Sequence, residues 1–245
     1  MNFIESKGII FRVVKYSETS VICDIFTRAY GLGSYIMSGV RTSKPGGKAA
    51  IFKPMNLINL VAYASHQDNL SRIREVSPSY HYQNINYNIV LSSMAIFALE
   101  ICRNAIREKE SNKELYDYIE SWFIHTDEQS EFNPDAHIIF MAGLSHYLGF
   151  APMDNYSQNT PCFNLAEGVY MSESTQNIHL LDEETSRLFY QICKSSHAES
   201  EKSNMSRAQR NLLTEVWLKY YACHIHGFNT LQSFDILKTI LSVSL

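Results

Sequence analysis

Residues 7–40, KGIIFRVVKYSETSVICDIFTRAYGLGSYIMSGV, alternate apolar and polar side chains with a period of about two, the period of a half-buried strand and not of a helix. The alternation predicts Ile9, Phe11 and Val13 on one face and Ile10, Arg12, Val14 and Tyr16 on the other. Small polar residues at 17–20 interrupt it, and Val21, Cys23, Ile25 and Thr27 begin a second run. Gly31 and Gly33 allow a tight connection, after which 34–40 reads as a third strand.

Two more β-like runs, 55–64 and 70–76, follow a basic loop at 41–48. Five short antiparallel strands in about eighty residues predict a barrel, which removes open sheet edges by closing on itself. An OB-type barrel fits the count, and so does another five-stranded barrel such as an SH3-like one; spacing does not choose between them.

From residue 80 the period lengthens. Ile85, Ile89, Met94, Ile96, Phe97, Leu99, Ile101 and Ile106 recur at steps of three and four, predicting a long helix that ends in the charges of 107–110. A second helix follows at about 113–124. A third opens at Asn133-Pro134, a capping side chain before a first-turn proline, and stops at Gly149. Residues 151–181, rich in Asn, Gln, Ser and Thr, read as a loop insertion with at most a short β-ribbon at 162–165 and 169–171. Helices return at about 182–194, from the capping-box sequence Ser206-Arg207-Ala208-Gln209 to about 224, and from Ser233 to about 241. The fold class is α+β: a barrel at 1–80, then an α-helical domain at 81–245 that carries the insertion.

Hydrophobic residues at 45% and charged residues at 19% exclude a disordered or fibrous chain. Apolar runs fall short of the ~20 residues a spanning helix needs, and MNFIESKG lacks a basic region followed by an apolar one, so a cytoplasmic address is expected. The five cysteines are scattered without a CxxC pair and read as buried or free thiols. Charge is divided unevenly. Residues 1–80 hold ten Lys and Arg against five Asp and Glu, a balance of +5, and the remainder holds eleven against twenty, a balance of −9. One half attracts polyanions and the other repels them.

That basic half is the best candidate for chemistry. Arg12, Lys15, Arg28, Arg41, Lys44, Lys48, Lys53, Arg72 and Arg74 supply the cations that phosphates demand, and Lys44-Pro45-Gly46-Gly47-Lys48 forms a basic tip able to follow an irregular backbone. Tyr16, Tyr30, Tyr35 and Tyr63 are stacking candidates, set against the plainer reading that they are core residues. No nucleophile-and-base pair, G-x-S-x-G sequence or phosphate-cradling glycine loop is present. His137, His146, His224 and His226 therefore read as structural or surface residues, and neither a catalytic residue nor a cofactor is expected.

An ordered series of residues resembles the RecO family of bacterial recombination mediators: Lys7-Gly8-Ile9-Ile10, Arg12, Lys15-Tyr16-Ser17-Glu18-Thr19-Ser20, Asp24-Ile25-Phe26-Thr27, Tyr30-Gly31-Leu32, Gly39-Val40-Arg41, residues 52–57 and 72–75, and the SHYLGFAP segment at 145–152. The resemblance implies an OB-type barrel and recombinational DNA repair without catalysis. It implies binding of single- and double-stranded DNA, annealing of complementary strands, and work with RecR to help RecA load on strands coated by single-stranded DNA-binding protein (SSB). Family members often place two close cysteine pairs, a zinc site, in the insertion. Here that stretch offers only Cys162, so no metal is implied. The family also docks the acidic SSB tail on its helical domain, and Arg103 and Arg107, one turn apart on the expected first helix, are the candidate cations for it. The reading from a different class is a protein-binding scaffold whose barrel contacts an acidic protein.

Overall fold

The computed structural model describes residues 3–40, 48–63, 70–129, 132–173, 178–195 and 205–244, and it divides into two compact units, 1–128 and 129–245.

In the first unit, β1 (Phe3–Lys15), β2 (Val21–Thr27), β3 (Gly31–Met37), β4 (Leu57–Tyr63) and β5 (Ser71–Pro78) close a barrel in the order β1-β2-β3-β5-β4. β1 serves two neighbours, pairing Phe3 to Ile9 with β4 and Gly8 to Lys15 with β2. β3 and β5 run parallel, with Tyr35 opposite Ser71 and Ile36 opposite Arg72. This closure is the OB-type order and not simply any five-strand count. Ile10, Cys23, Ile25, Tyr35, Ile58, Leu60 and Ile73 fill the interior.

The expected faces of β1 hold to Ile10 and then change. Register slips between Ile10 and Arg12 because Phe11 is an extra residue, a bulge that bends the strand. Ile10 therefore points into the barrel while Arg12 and Val14 stand outside, and Val13 packs on the core. Ile9 and Phe11 are also buried, Phe11 stacking on Phe26 at 5.6 Å.

Two helices complete this unit, α1 (Ile89–Ala105) and α2 (Lys113–Glu128). Tyr116 of α2 covers Phe26 at 5.9 Å. α1 starts later than its apolar spacing suggests. The buried carboxylate of Asp127 accepts the N–H groups of Gln83, Asn84 and Ile85, each at 2.8 Å, and holds these residues in a turn. Asn88 then caps the helix by accepting from Val90 and Leu91. Burial alone would raise the pKa of Asp127, but the three N–H donors and the Tyr80 hydroxyl bring it below the ordinary carboxylate value.

The second unit contains α3 (Ala136–Tyr147), the ribbon strands β6 (Cys162–Asn164) and β7 (Val169–Met171), α4 (Glu183–Ser195), α5 (Arg207–His224) and α6 (Ser233–Ser244). α3 begins beyond Asn133-Pro134, because Asn133 Oδ1 accepts from Asp135 N–H to form a turn and Asp135 is drawn into a buried pair with Arg210 at 2.5 Å. Its end is a Schellman arrangement: Gly149 takes φ +83°, and the Phe150 N–H donates to the Ser145 carbonyl at 3.0 Å. That is the physical content of the SHYLGFAP segment, since the turn sets Phe150 flat against His224 at 5.5 Å. The ribbon is held by rings and amides. Phe163 stacks on Phe189 at 4.6 Å and Phe189 on Trp217 at 4.4 Å, and the Asn155 side chain bonds both the N–H and the carbonyl of Tyr170. Ser206 and Gln209 form the expected capping box.

Candidate nucleic-acid interface

Strand pairing sorts the outer barrel surface into rows. Arg12, Asp24 and Ser34 lie side by side across β1, β2 and β3, and Val14, Ile22, Ile36 and Arg72 form the next row across β1, β2, β3 and β5. The aliphatic side chains of the second row thus end at Arg72 on β5, with Arg12 in the adjoining row on β1, and β1 and β5 are separated by three strand spacings, about 14 Å. Ser34 Oγ donates to Asp24 Oδ1 at 2.8 Å, which fixes that carboxylate in the floor. Val14 is 41% and Tyr16 is 64% exposed, so this face presents apolar and aromatic surface beside cations. The turn at 16–20 is braced by Tyr16 and Ser17 N–H groups donating to the Ser20 carbonyl, and by Val40 N–H donating to Thr19. Lys15 stands exposed at the mouth of that turn.

The predicted basic set divides on inspection. Arg12, Lys15, Lys53 and Arg72 are exposed, and none is ion-paired with another described residue. Arg12, Lys15 and Arg72 belong to the face just described, whereas Lys53 lies on the β3–β4 connection, which docks on the bulge through Met55 N–H to the Ile10 carbonyl. Arg28 forms a two-pronged pair with Asp117 of α2 at 2.6 and 2.8 Å, so its guanidinium joins helix to barrel. Arg74 pairs with Glu75 at 3.1 Å and lies 4.7 Å over the Phe3 ring. Arg41 and Lys44 lie outside the described residues. Lys48 falls in a single 3-10 turn, Lys48–Ala50, and its side chain is also outside them.

Among the tyrosines, Tyr16 is open and Tyr30 is 44% exposed, but Tyr35 is 3% exposed and belongs to the barrel core. Burial raises its phenol pKa, and it offers no face to a base. Tyr63 packs against Phe3 at 5.1 Å.

Arg103 is exposed on α1, but Arg107 is not one turn further along the same helix. α1 ends at Ala105 with Ile106 as its cap, and residues 107–110 follow without regular secondary structure. This connection is pinned to β3: Leu32 N–H donates to the Glu108 carbonyl at 3.0 Å, and Ser111 Oγ donates to the Arg28 carbonyl. Gly31, at φ +69°, permits the approach, because a Cβ there would run into the Glu110 backbone. A cleft of about 340 Å³ results, with Asp24, Ser34, Tyr35, Ser71, Arg107 and Lys109 in its walls. Sequence reasoning did not single out Lys109, because the charged run 107–110 fits the end of a helix as readily as the irregular connection it forms.

No helix among the described residues is long and apolar enough to cross a membrane. The family model for the recombination protein O N-terminal region matches residues 1–82, and that for its C-terminal region matches 86–232. The chain is similar to the DNA repair protein RecO of Flavobacterium psychrophilum, with 28% identity over 98% of this chain and 99% of that one. It is 29% identical to the RecO of Christiangramia forsetii, over 97% of this chain and 98% of the other. The RecO of Phocaeicola vulgatus is likewise 29% identical, over 96% and 98%.

Proposed function

The chain belongs to the RecO family of DNA repair proteins, and on that footing we propose that it binds single- and double-stranded DNA through the barrel and anneals complementary strands without making or breaking a bond. With RecR it would help RecA load on strands coated by SSB, in the bacterial cytoplasm at the nucleoid. The observation that carries the reading is the outer face of β1, β2, β3 and β5, where Arg12, Lys15 and Arg72 surround Val14, Ile22, Ile36 and the open ring of Tyr16. OB-type barrels take oligonucleotides on this side, with cations neutralising phosphates and apolar or aromatic side chains receiving bases. Arg41, Lys44 and Lys48 would extend the grip from the β3–β4 connection, and Lys53 sits at its end. Arg28 and Arg74, already paired, would contribute less.

For the SSB tail, α1 favours Arg103. Ile89, 69% exposed, and Ile96, 47% exposed, precede it at seven-residue intervals on one helix face. A cation at the end of an apolar stripe suits an acidic peptide with a bulky apolar terminus.

Fluorescence anisotropy with a labelled oligonucleotide at several salt concentrations tests the barrel. Replacing Arg12, Lys15 and Arg72 by Gln should weaken binding for every base sequence and flatten the log–log salt slope by about 2, at about 0.7 per single-strand phosphate. Unchanged affinity would reject this face as the site.

A further inference from the structure

We infer that Tyr82 and Met55 are positioning residues for the nucleic-acid face: they fix the bulge of β1 that turns Arg12 outward and the turn that carries Lys53. This rests on the barrel reading above and deepens it, since it names what aims two of the cations.

Backbone strain marks the place. Met55, at φ +76°, is the one non-glycine residue with a left-handed backbone among the described residues, a conformation that a β-carbon disfavours and that persists only where its surroundings hold it. Two hydrogen bonds hold it here. Its N–H donates to the Ile10 carbonyl at 2.9 Å, and its carbonyl accepts from the Tyr82 hydroxyl at 3.0 Å. The Ile10 N–H in turn donates to the Asn56 carbonyl at 3.1 Å, so residues 55 and 56 engage both backbone groups of Ile10. Ile10 is the last residue before the register slip. Fixing the edge there leaves Phe11 as the extra residue and sends Arg12 outward.

The same segment sets Lys53. The side-chain amide of Asn56 donates to the carbonyls of Ala50 and Ile51 at 3.1 and 2.8 Å, and the Asn56 N–H donates to the Lys53 carbonyl at 3.2 Å. Lys53 therefore stands on a closed turn that residues 55 and 56 tie to the bulge. Tyr82 anchors the arrangement from beyond the last barrel strand. It is buried, so it offers no face to a base, and its ring packs edge-on against Tyr80 at 5.5 Å, whose hydroxyl donates to Asp127. Burial raises the Tyr82 phenol pKa and keeps the hydroxyl a donor. The aim of two exposed cations thus depends on a hydroxyl that nucleic acid does not touch.

The experiment uses the full chain and a labelled single-stranded oligonucleotide, with anisotropy read at several salt concentrations. Tyr82→Phe removes the hydroxyl and keeps the ring. Displacing one or both cations should lower the log–log salt slope by about 0.7 to 1.4, so that the wild-type advantage shrinks about three- to seven-fold between 50 and 200 mM salt. A loss of stability alone would change affinity by one factor at every salt concentration and leave the slope as it is. In a chain that already carries Arg12→Gln with Lys53→Gln, Tyr82→Phe should lower the slope no further, whereas beside Arg72→Gln it should lower it as in wild type. Asparagine tolerates the left-handed backbone, so Met55→Asn keeps both hydrogen bonds and should bind as wild type does. If Tyr82→Phe leaves the slope unchanged while Arg12→Gln with Lys53→Gln lowers it, or if those losses add in full, the positioning role is wrong and the barrel face stands. Weakened binding by Met55→Asn would make its side chain a contact and overturn the role as well. If the Arg12, Lys53 and Arg72 variants all bind as wild type does, the barrel reading and this one fall together.

Discussion

Asp127→Asn should cost the first unit roughly 2–4 kcal/mol, and the size of that loss should depend on pH. The carboxylate is fully buried and accepts from three backbone N–H groups and the Tyr80 hydroxyl. Asparagine retains one acceptor oxygen and replaces the other with an amide donor that faces N–H groups. Of the four hydrogen bonds it can keep about two, now without charge assistance, and one or two buried donors lose their partner at about 1–3 kcal/mol each. Asp127→Ala removes all of them and should cost more, because the turn at 83–85 that precedes α1 then has no acceptor. The pH sign follows from the direction of the shift. The folded carboxyl sits below its ordinary value, so its contribution is complete above the unfolded pKa of about 3.9 and disappears as pH falls through the folded one. Urea unfolding followed by tryptophan fluorescence, since Trp122 lies on α2, should show wild type and variant far apart at pH 7 and converging below pH 4. A difference under about 0.5 kcal/mol at pH 7, or one that stays constant to pH 3, would refute the capping role.

Breaking the buried Arg210–Asp135 pair by Asp135→Ala should destabilise the second unit by about 3–5 kcal/mol, because it strands a guanidinium. Asp135→Leu combined with Arg210→Met should recover most of that in chemical denaturation. Burial, helped by the Arg210 charge, pulls His137 down to about 3. The second unit should therefore lose about 1.4 kcal/mol per pH unit on going below pH 6.5, where the unfolded imidazole takes up a proton, and His137→Gln should reduce that slope in calorimetry. Gly31→Ala combines a left-handed φ with collision against the Glu110 backbone. It should lower stability by more than the roughly 1–2 kcal/mol of the conformation alone and release the α1–α2 connection, seen as faster hydrogen exchange at Leu32.

Strands were legible because one face of each is wet, so burial prints a period of two into the sequence. Phe11 shows where this stops. A bulge adds a residue without altering composition, and the side chains beyond it change faces with nothing in the residue types to announce it. Helix ends hid for a related reason. Asp127 is more than forty positions from the backbone N–H groups it holds, and Glu108 and Glu110 fit the end of a helix as well as they fit an irregular connection held against β3. The basic set was visible as composition, but composition cannot separate Arg72, which faces water, from Arg28, whose partner Asp117 lies on another element. In the ribbon, the amides of Asn155 and the rings of Phe163 and Phe189 do in packing what two cysteine pairs do with a metal elsewhere in the family, and each looks ordinary when read alone.

Because β1 is shared between β2 and β4, its edge at Phe3 to Ile9 stays unpaired during synthesis until β4 has been made. Some 48 residues must be synthesised between the end of β1 at Lys15 and the end of β4 at Tyr63, roughly 2–10 s at ordinary elongation rates. During that interval the nascent β1–β2–β3 meander carries an unsatisfied edge at Phe3 to Ile9, open to pairing with another nascent chain. A fusion partner joined ahead of Phe3 therefore sits beside the β1–β4 seam.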